Sequence, residues 1–99
     1  MEQITKKMLQ LKVDYLNKIT DNPETPWSRD DDGNLKANIG NYHLSGAYGG
    51  VNVEQMMNDG GGVHCPINYG HIPKRDLFEK LSSFINGYEL AIRNQDVTP

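Results

Sequence analysis

The residues able to do chemistry gather in and around the middle of this 99-residue chain. The single cysteine, Cys65, adjoins His64, with His43 and His71 to either side. Asp30-Asp31-Asp32-Gly33 is an acidic run, and Gly46-Ala47-Tyr48-Gly49-Gly50 and Gly60-Gly61-Gly62 are glycine clusters. A thiol beside an imidazole could form a nucleophile, and cysteine with histidine could bind zinc. The spacing supports neither strongly. The chain has no Cys-x-x-Cys pair and no His-x-Glu followed by Pro-Cys-x-x-Cys, the pattern of a deaminase zinc site. Alternation along Val63–Ile67 places Cys65 with Val63 and Ile67 as a small core residue and turns His64 outward. The acidic run fails as an EF-hand: with Gly33 as its sixth residue the loop starts at Ser28 and puts Ile39 where a bidentate glutamate is required. It reads as a solvated acidic turn, and no metal or cofactor is expected.

Glycine-rich backbone can cradle a phosphate through its amides. Neither cluster ends in Gly-Lys-Ser/Thr, and neither is a Gly-x-Gly-x-x-Gly turn between strand and helix, so hairpin turns are the simplest reading. An anion site stays open as an alternative because His71, Lys74 and Arg75 fall at the expected start of a helix, where free amides and the helix dipole favour negative charge. Tyr48, Asn58, Gly60, Gly61, Gly62, His71, Lys74 and Arg75 would then be the ligand-binding set, holding a phosphorylated nucleotide signal. Trp27 is a lone tryptophan in a polar segment. It either anchors that segment on the core or, with Asp30, Asp31 and Asp32, contacts a partner protein.

Positioning these groups falls to a short succession of elements. Apolar residues recur at Ile4, Met8, Leu11, Tyr15 and Ile19, widened by Leu9 and Leu16, with lysines mostly opposite. This spacing predicts a helix over about 3–20, ended by Asp21-Asn22-Pro23. Residues 21–34 read as an acidic loop. Strand patterns follow over 35–68, at Leu35–Ile39, Tyr42–Tyr48, Val51–Met57 and Val63–Ile67, with turns at Gly49-Gly50 and over 58–62. Pro66 has no backbone donor and marks the last strand as an edge. Pro73 suits a first helical position, and Leu77, Phe78, Leu81, Phe84, Ile85, Tyr88, Ala91 and Ile92 form the apolar face of a second helix over about 73–93. Gly87 inside it reads as a point of close packing against a strand or a second subunit, and the tail from Gln95 as frayed. The expected fold is α+β, one domain over 1–99. It comprises an N-terminal helix, a three- to four-stranded antiparallel β-meander and a C-terminal helix, both helices on one face of the sheet.

Composition narrows the function classes. A hydrophobic content of 36% makes a small two-layer core, which a second copy in a homo-oligomer could complete. One cysteine forms no internal disulfide, which fits the cytoplasm. Met1–Lys7 leads straight into the amphipathic pattern without an apolar signal region, and no apolar run approaches the roughly 20 residues that span a bilayer. A net charge of −3 lacks the basic footprint of a general nucleic-acid binder. The acidity is concentrated over 21–33, where Asp21, Glu24, Asp30, Asp31 and Asp32 face only Arg29.

The ordered set Tyr48-Gly49-Gly50, Asn58, Gly60-Gly61-Gly62-Val63, Lys74-Arg75-Asp76-Leu77-Phe78, Phe84 and Gly87 resembles a pattern in small accessory proteins of bacteriophages and other mobile elements, over about residues 42–88. Ile72 stands where a Ser or Thr helix cap would be expected. The resemblance implies a non-catalytic protein of the host-cell cytoplasm that inhibits antiviral defence by stoichiometric binding to a host defence protein, as anti-CRISPR proteins do. A sponge that sequesters a nucleotide signal is the alternative, and a small Cys/His-dependent enzyme a third.

Overall fold

Helix α1 (Lys6–Ile19) starts where the Thr5 side chain accepts a 3.2 Å hydrogen bond from the Met8 amide, and it ends in the turn at Thr20. Residues 3–97 are described by a computed structural model. The buried stripe of α1 is Leu9, Val13 and Leu16, continued by the polar Asn17; Leu11 and Tyr15 of the expected stripe are 61% and 44% exposed. The helix is therefore rotated from the face that apolar periodicity suggested. An asparagine completes the buried face, and hydropathy counts asparagine as solvent-facing.

The segment expected to be an acidic loop contains a strand. β1 (Trp27–Arg29) pairs antiparallel with β2 (Leu35–Ala37) as a separate two-stranded sheet. The second sheet has the order β3-β4-β5, from β3 (Tyr42–Ala47), β4 (Gly50–Met56) and β5 (Val63–His64). Its first turn is Tyr48-Gly49, and Gly50 already belongs to β4. The expected Val63–Ile67 strand stops at His64. The chain leaves the ladder through Cys65 and Pro66 and rejoins β4 at Ile72, which bridges Val51. Cys65 is exposed rather than a core residue, because it lies on this departing segment and no longer alternates with Val63. Gly50 eases the close return of the chain: a Cβ there would stand 3.0 Å from the backbone of His71 and Ile72, tighter than an ordinary contact.

Helix α2 (Lys74–Val97) runs four residues beyond the expected end at Arg93, so Gln95–Val97 are helical; the remainder of the expected tail lies outside the described residues. Leu77, Leu81 and Ile85 join the α1 stripe and Tyr42, Val51 and Val53 of the sheet in one core. Both helices cover the same sheet face, as the sequence reading held. Tyr15 donates a 2.6 Å hydrogen bond from α1 to Glu89 of α2, and this bond chiefly pushes its phenol above the usual range. Gly87 is not a packing point within the chain, since a Cβ there would meet nothing within 4 Å.

Three asparagines, Asn17, Asn41 and Asn52, are the buried polar residues among those described. The Asn17 carboxamide accepts from the Tyr42 amide at 2.8 Å and donates to the Tyr42 carbonyl at 2.9 Å, pairing with β3 as a neighbouring strand would. Asn52 accepts from the Val53 amide at 2.8 Å and donates to Asn68 O at 3.0 Å, filling the gap where the chain has left β4. Asn41 donates to Pro23 O at 2.8 Å and holds the loop after α1.

Replacing Asn17 with alanine strands two buried backbone groups, at about 1–3 kcal/mol each. Urea denaturation of Asn17→Ala should show a loss of about 2–6 kcal/mol, a large part of a small domain's stability. Loss below about 1 kcal/mol would show that water replaces the carboxamide. Burial raises the Tyr42 phenol above its ordinary value of 10.0, assisted by the nearby Tyr88 and opposed by a hydrogen bond with Gln55. Above about pH 10 the unfolded chain then loses this proton before the folded one, so stability is full below that pH and falls as pH rises through the folded value. Tyr42→Phe should flatten that alkaline fall in denaturation series across pH 8–12.

Candidate functional site

The outer edge of β3 is closed at one end and open at the other. Ala47 and Gly50 flank a two-residue turn, and hydrogen-bonded and non-bonded pairs alternate from there. Tyr42, Leu44 and Gly46 therefore point their N–H and C=O groups away from β4. Asn17 occupies both groups of Tyr42. Among the described residues nothing bonds the outward groups of Leu44 or Gly46. A groove of about 390 Å³ runs along this stretch, lined by Lys6, Lys7 and Gln10 of α1 and by Leu44–Gly46 and Val51.

The charge beside the groove is one-sided. α1 has no acidic residue in its first turn and carries Lys6 and Lys7 there, against its own dipole. α1 runs antiparallel to β3, from Lys6 beside Gly46 to Asn17 beside Tyr42, so its N-terminus lies at the hairpin end of the sheet. α2 opens with Lys74 and Arg75 directly after the bridge of Ile72 to Val51, so its N-terminus lies at the same end.

At the tip, Tyr48 has φ 53° and Gly49 φ 74°, the left-handed pair of a tight two-residue hairpin turn. The Tyr48 side chain is fully exposed, with its ring edge-on to His71 at 6.4 Å between centroids. His71 Nε2 lies 3.0 Å from Ser45 Oγ on the sheet face opposite the helices. Further along that face, His43 contacts Asn41 Oδ1 at 3.1 Å and Glu54 Oε1 at 3.3 Å. A Ser–His contact could pass a proton from hydroxyl to imidazole, but no acceptor orients His71 Nδ1 among the described residues. His64 bonds Gln55 at 2.6 Å, away from the other two histidines.

Comparison with protein-family models, curated proteins and solved structures found no match. The site must be judged on its geometry.

The structure divides the expected ligand-binding set. Tyr48, His71, Lys74 and Arg75 lie at the hairpin end. Asn58, Gly60, Gly61 and Gly62 lie past the far end of β4, about 20 Å away at the rise of an extended strand. The amides of this glycine turn are also engaged: those of Gly60 and Gly62 donate to Asn58 Oδ1 at 3.0 and 2.9 Å, and that of Gly61 to Asn58 O at 3.2 Å. Gly61 has φ +94°, and a Cβ on it would stand 2.6 Å from Trp27 Cη2. Trp27 is thus seated on the glycine turn while remaining 42% exposed. Asp30 organises the β1–β2 turn by accepting the amides of Asp32 and Asn34, each at 2.9 Å; Asp31 and Asp32 are exposed there.

No group of three or more His, Cys, Asp or Glu among the described residues could hold a metal ion, and no described helix is long and apolar enough to cross a membrane. Sequence reasoning missed Lys6, Lys7, Leu44 and Ser45. Their signal, two lysines where a first turn favours acids, was legible but was read as a solvated face.

Gly61→Ala should displace the indole and destabilise the protein by about 1–3 kcal/mol, combining a left-handed penalty with overpacking. Because Trp27 is the sole tryptophan, its emission should shift measurably toward that of unfolded protein. An unchanged spectrum and melting temperature would mean that Trp27 does not rest on this turn.

Proposed function

We propose that this protein acts without catalysis, by stoichiometric docking of a partner protein on the hairpin end of its sheet. On the resemblance to phage accessory proteins, that partner is a component of host antiviral defence. Tyr48 carries this reading. A non-glycine residue in the left-handed region is strained by roughly 1–2 kcal/mol, and asparagine is the side chain that tolerates it best. Tyr48 accepts that strain while burying none of its ring, and the edge-on contact with His71 is all that its ring makes among the described residues. The product of the strain is a rigid aromatic anchor at the apex of a hairpin, the residue type that dominates protein interfaces.

The other readings draw less support. A nucleotide sponge would need Tyr48 and the Gly60–Gly62 turn together, whereas they lie at opposite ends of β4 and the glycine amides are already bonded. A thiol enzyme would need an imidazole at Cys65, and among the described residues His64 instead bonds Gln55. Trp27, Asp30, Asp31 and Asp32 belong to the opposite end of the molecule, where Trp27 and Asp30 hold turns together.

Tyr48→Asn separates strain from function. The variant should gain about 1 kcal/mol of stability, or roughly 4–8 °C in Tm, by relieving the left-handed tyrosine. In affinity capture from host extract it should lose the protein that wild type retains. A partner still held at full yield by Tyr48→Asn would refute docking through the hairpin tip.

A further inference from the structure

We propose that the open edge of β3 accepts an acidic segment of the partner as an added β-strand, paired to Leu44 and Gly46 and held by Lys6 and Lys7. This rests on the protein-docking reading above and names its mode. Leu44 and Gly46 each present an outward N–H and C=O, and an extended peptide supplies the matching alternation of donors and acceptors. The edge is also limited in extent. Asn17 blocks it at Tyr42 and the chain reverses at Tyr48-Gly49, so the added strand is short and its register defined. Gly46 leaves the approach clear, with no side chain at the edge and an exposed backbone.

Charge selects the occupant. Lys6 and Lys7 line the groove, no acidic side chain does among the described residues, and the N-terminus of α1 points its positive end to the hairpin end of this edge. Lysines beside a bare edge also repel a second copy of the same edge, so the protein is guarded against pairing with itself. An oppositely charged strand meets no such barrier. Single-stranded nucleic acid would satisfy the lysines but has no backbone ladder to pair with Leu44 and Gly46.

The test uses the full chain at low salt with three labelled probes: an eight-residue peptide alternating Glu and Val, its Lys/Val counterpart, and a 12-nucleotide single-stranded DNA. Fluorescence anisotropy gives affinity, and amide NMR shifts with hydrogen exchange report on Leu44 and Gly46. The Glu/Val peptide should bind saturably, at least tenfold more tightly than the Lys/Val peptide, and should protect both amides. The paired substitution Lys6→Glu with Lys7→Glu should reduce that binding at least tenfold. It should also raise Tm by roughly 2–6 °C, because acids suit a first helical turn. This opposite movement separates loss of binding from loss of fold. Gly46→Pro, which removes one outward donor while sparing the β4 ladder, should weaken binding without changing the charge.

Equal binding of the two peptides, absence of any response at Leu44 and Gly46, or DNA displacing the peptide while leaving those amides unprotected would each overturn the proposal. So would protection of those amides in the peptide-free protein by a second copy. If the edge proves inert while capture of a partner still depends on Tyr48, strand addition fails and docking at the tip stands. If Tyr48→Asn retains the partner as well, both readings fail.

Discussion

Backbone polar groups in a sheet this small must be paired without enough strands to pair them, and the structure meets that constraint with buried carboxamides. Asn17 stands in for a strand beside Tyr42, and Asn52 for one beside Val53. Asn41 ties the start of β3 to the loop after α1. Each amide side chain carries a donor and an acceptor, as a peptide unit does, so it can replace a missing neighbour at either edge. The rest follows from those substitutions. α1 is locked against β3 in one rotation, Leu9, Val13 and Leu16 face the core, and Lys6 and Lys7 are carried to the hairpin end.

Much of the fold was legible in the residues. Both helices, the β3–β4 pairing and the single covered sheet face follow from periodicities of 3.6 and 2. What was not legible has definite physical causes. β1 is three residues long and wholly exposed, so no alternation marks it, whereas its partner β2 falls within the strand expected at Leu35–Ile39. The true buried stripe of α1 includes a polar residue, and its exposed side includes Leu11 and Tyr15, which tilts any hydropathy-based assignment toward the wrong face. Val63–Ile67 has the composition of a strand, but Asn52 takes the place that its second half would have filled.

The candidate site was half legible. Tyr48, His71, Lys74 and Arg75 do fall at one end of the molecule. The glycine turn at Gly60–Gly62 was grouped with Tyr48 as a phosphate cradle, yet the residues between them form a strand and an extended chain covers distance quickly. An unpaired backbone edge leaves no mark in side-chain types at all. It becomes visible only when register shows which amides face outward and Asn17 shows which of them is already engaged.

The departure of the chain from β4 at Cys65 and its return at Ile72 limits how this sheet can grow. Fibrous assembly through strands requires each unit to offer two extendable sides, one to receive a neighbour and one to be received. Here the far side consists of a two-residue strand followed by Pro66, with an asparagine plugging the interval beyond it. Extension from this far side is thereby obstructed. A sheet with one side obstructed lacks the second side that propagation through strands requires.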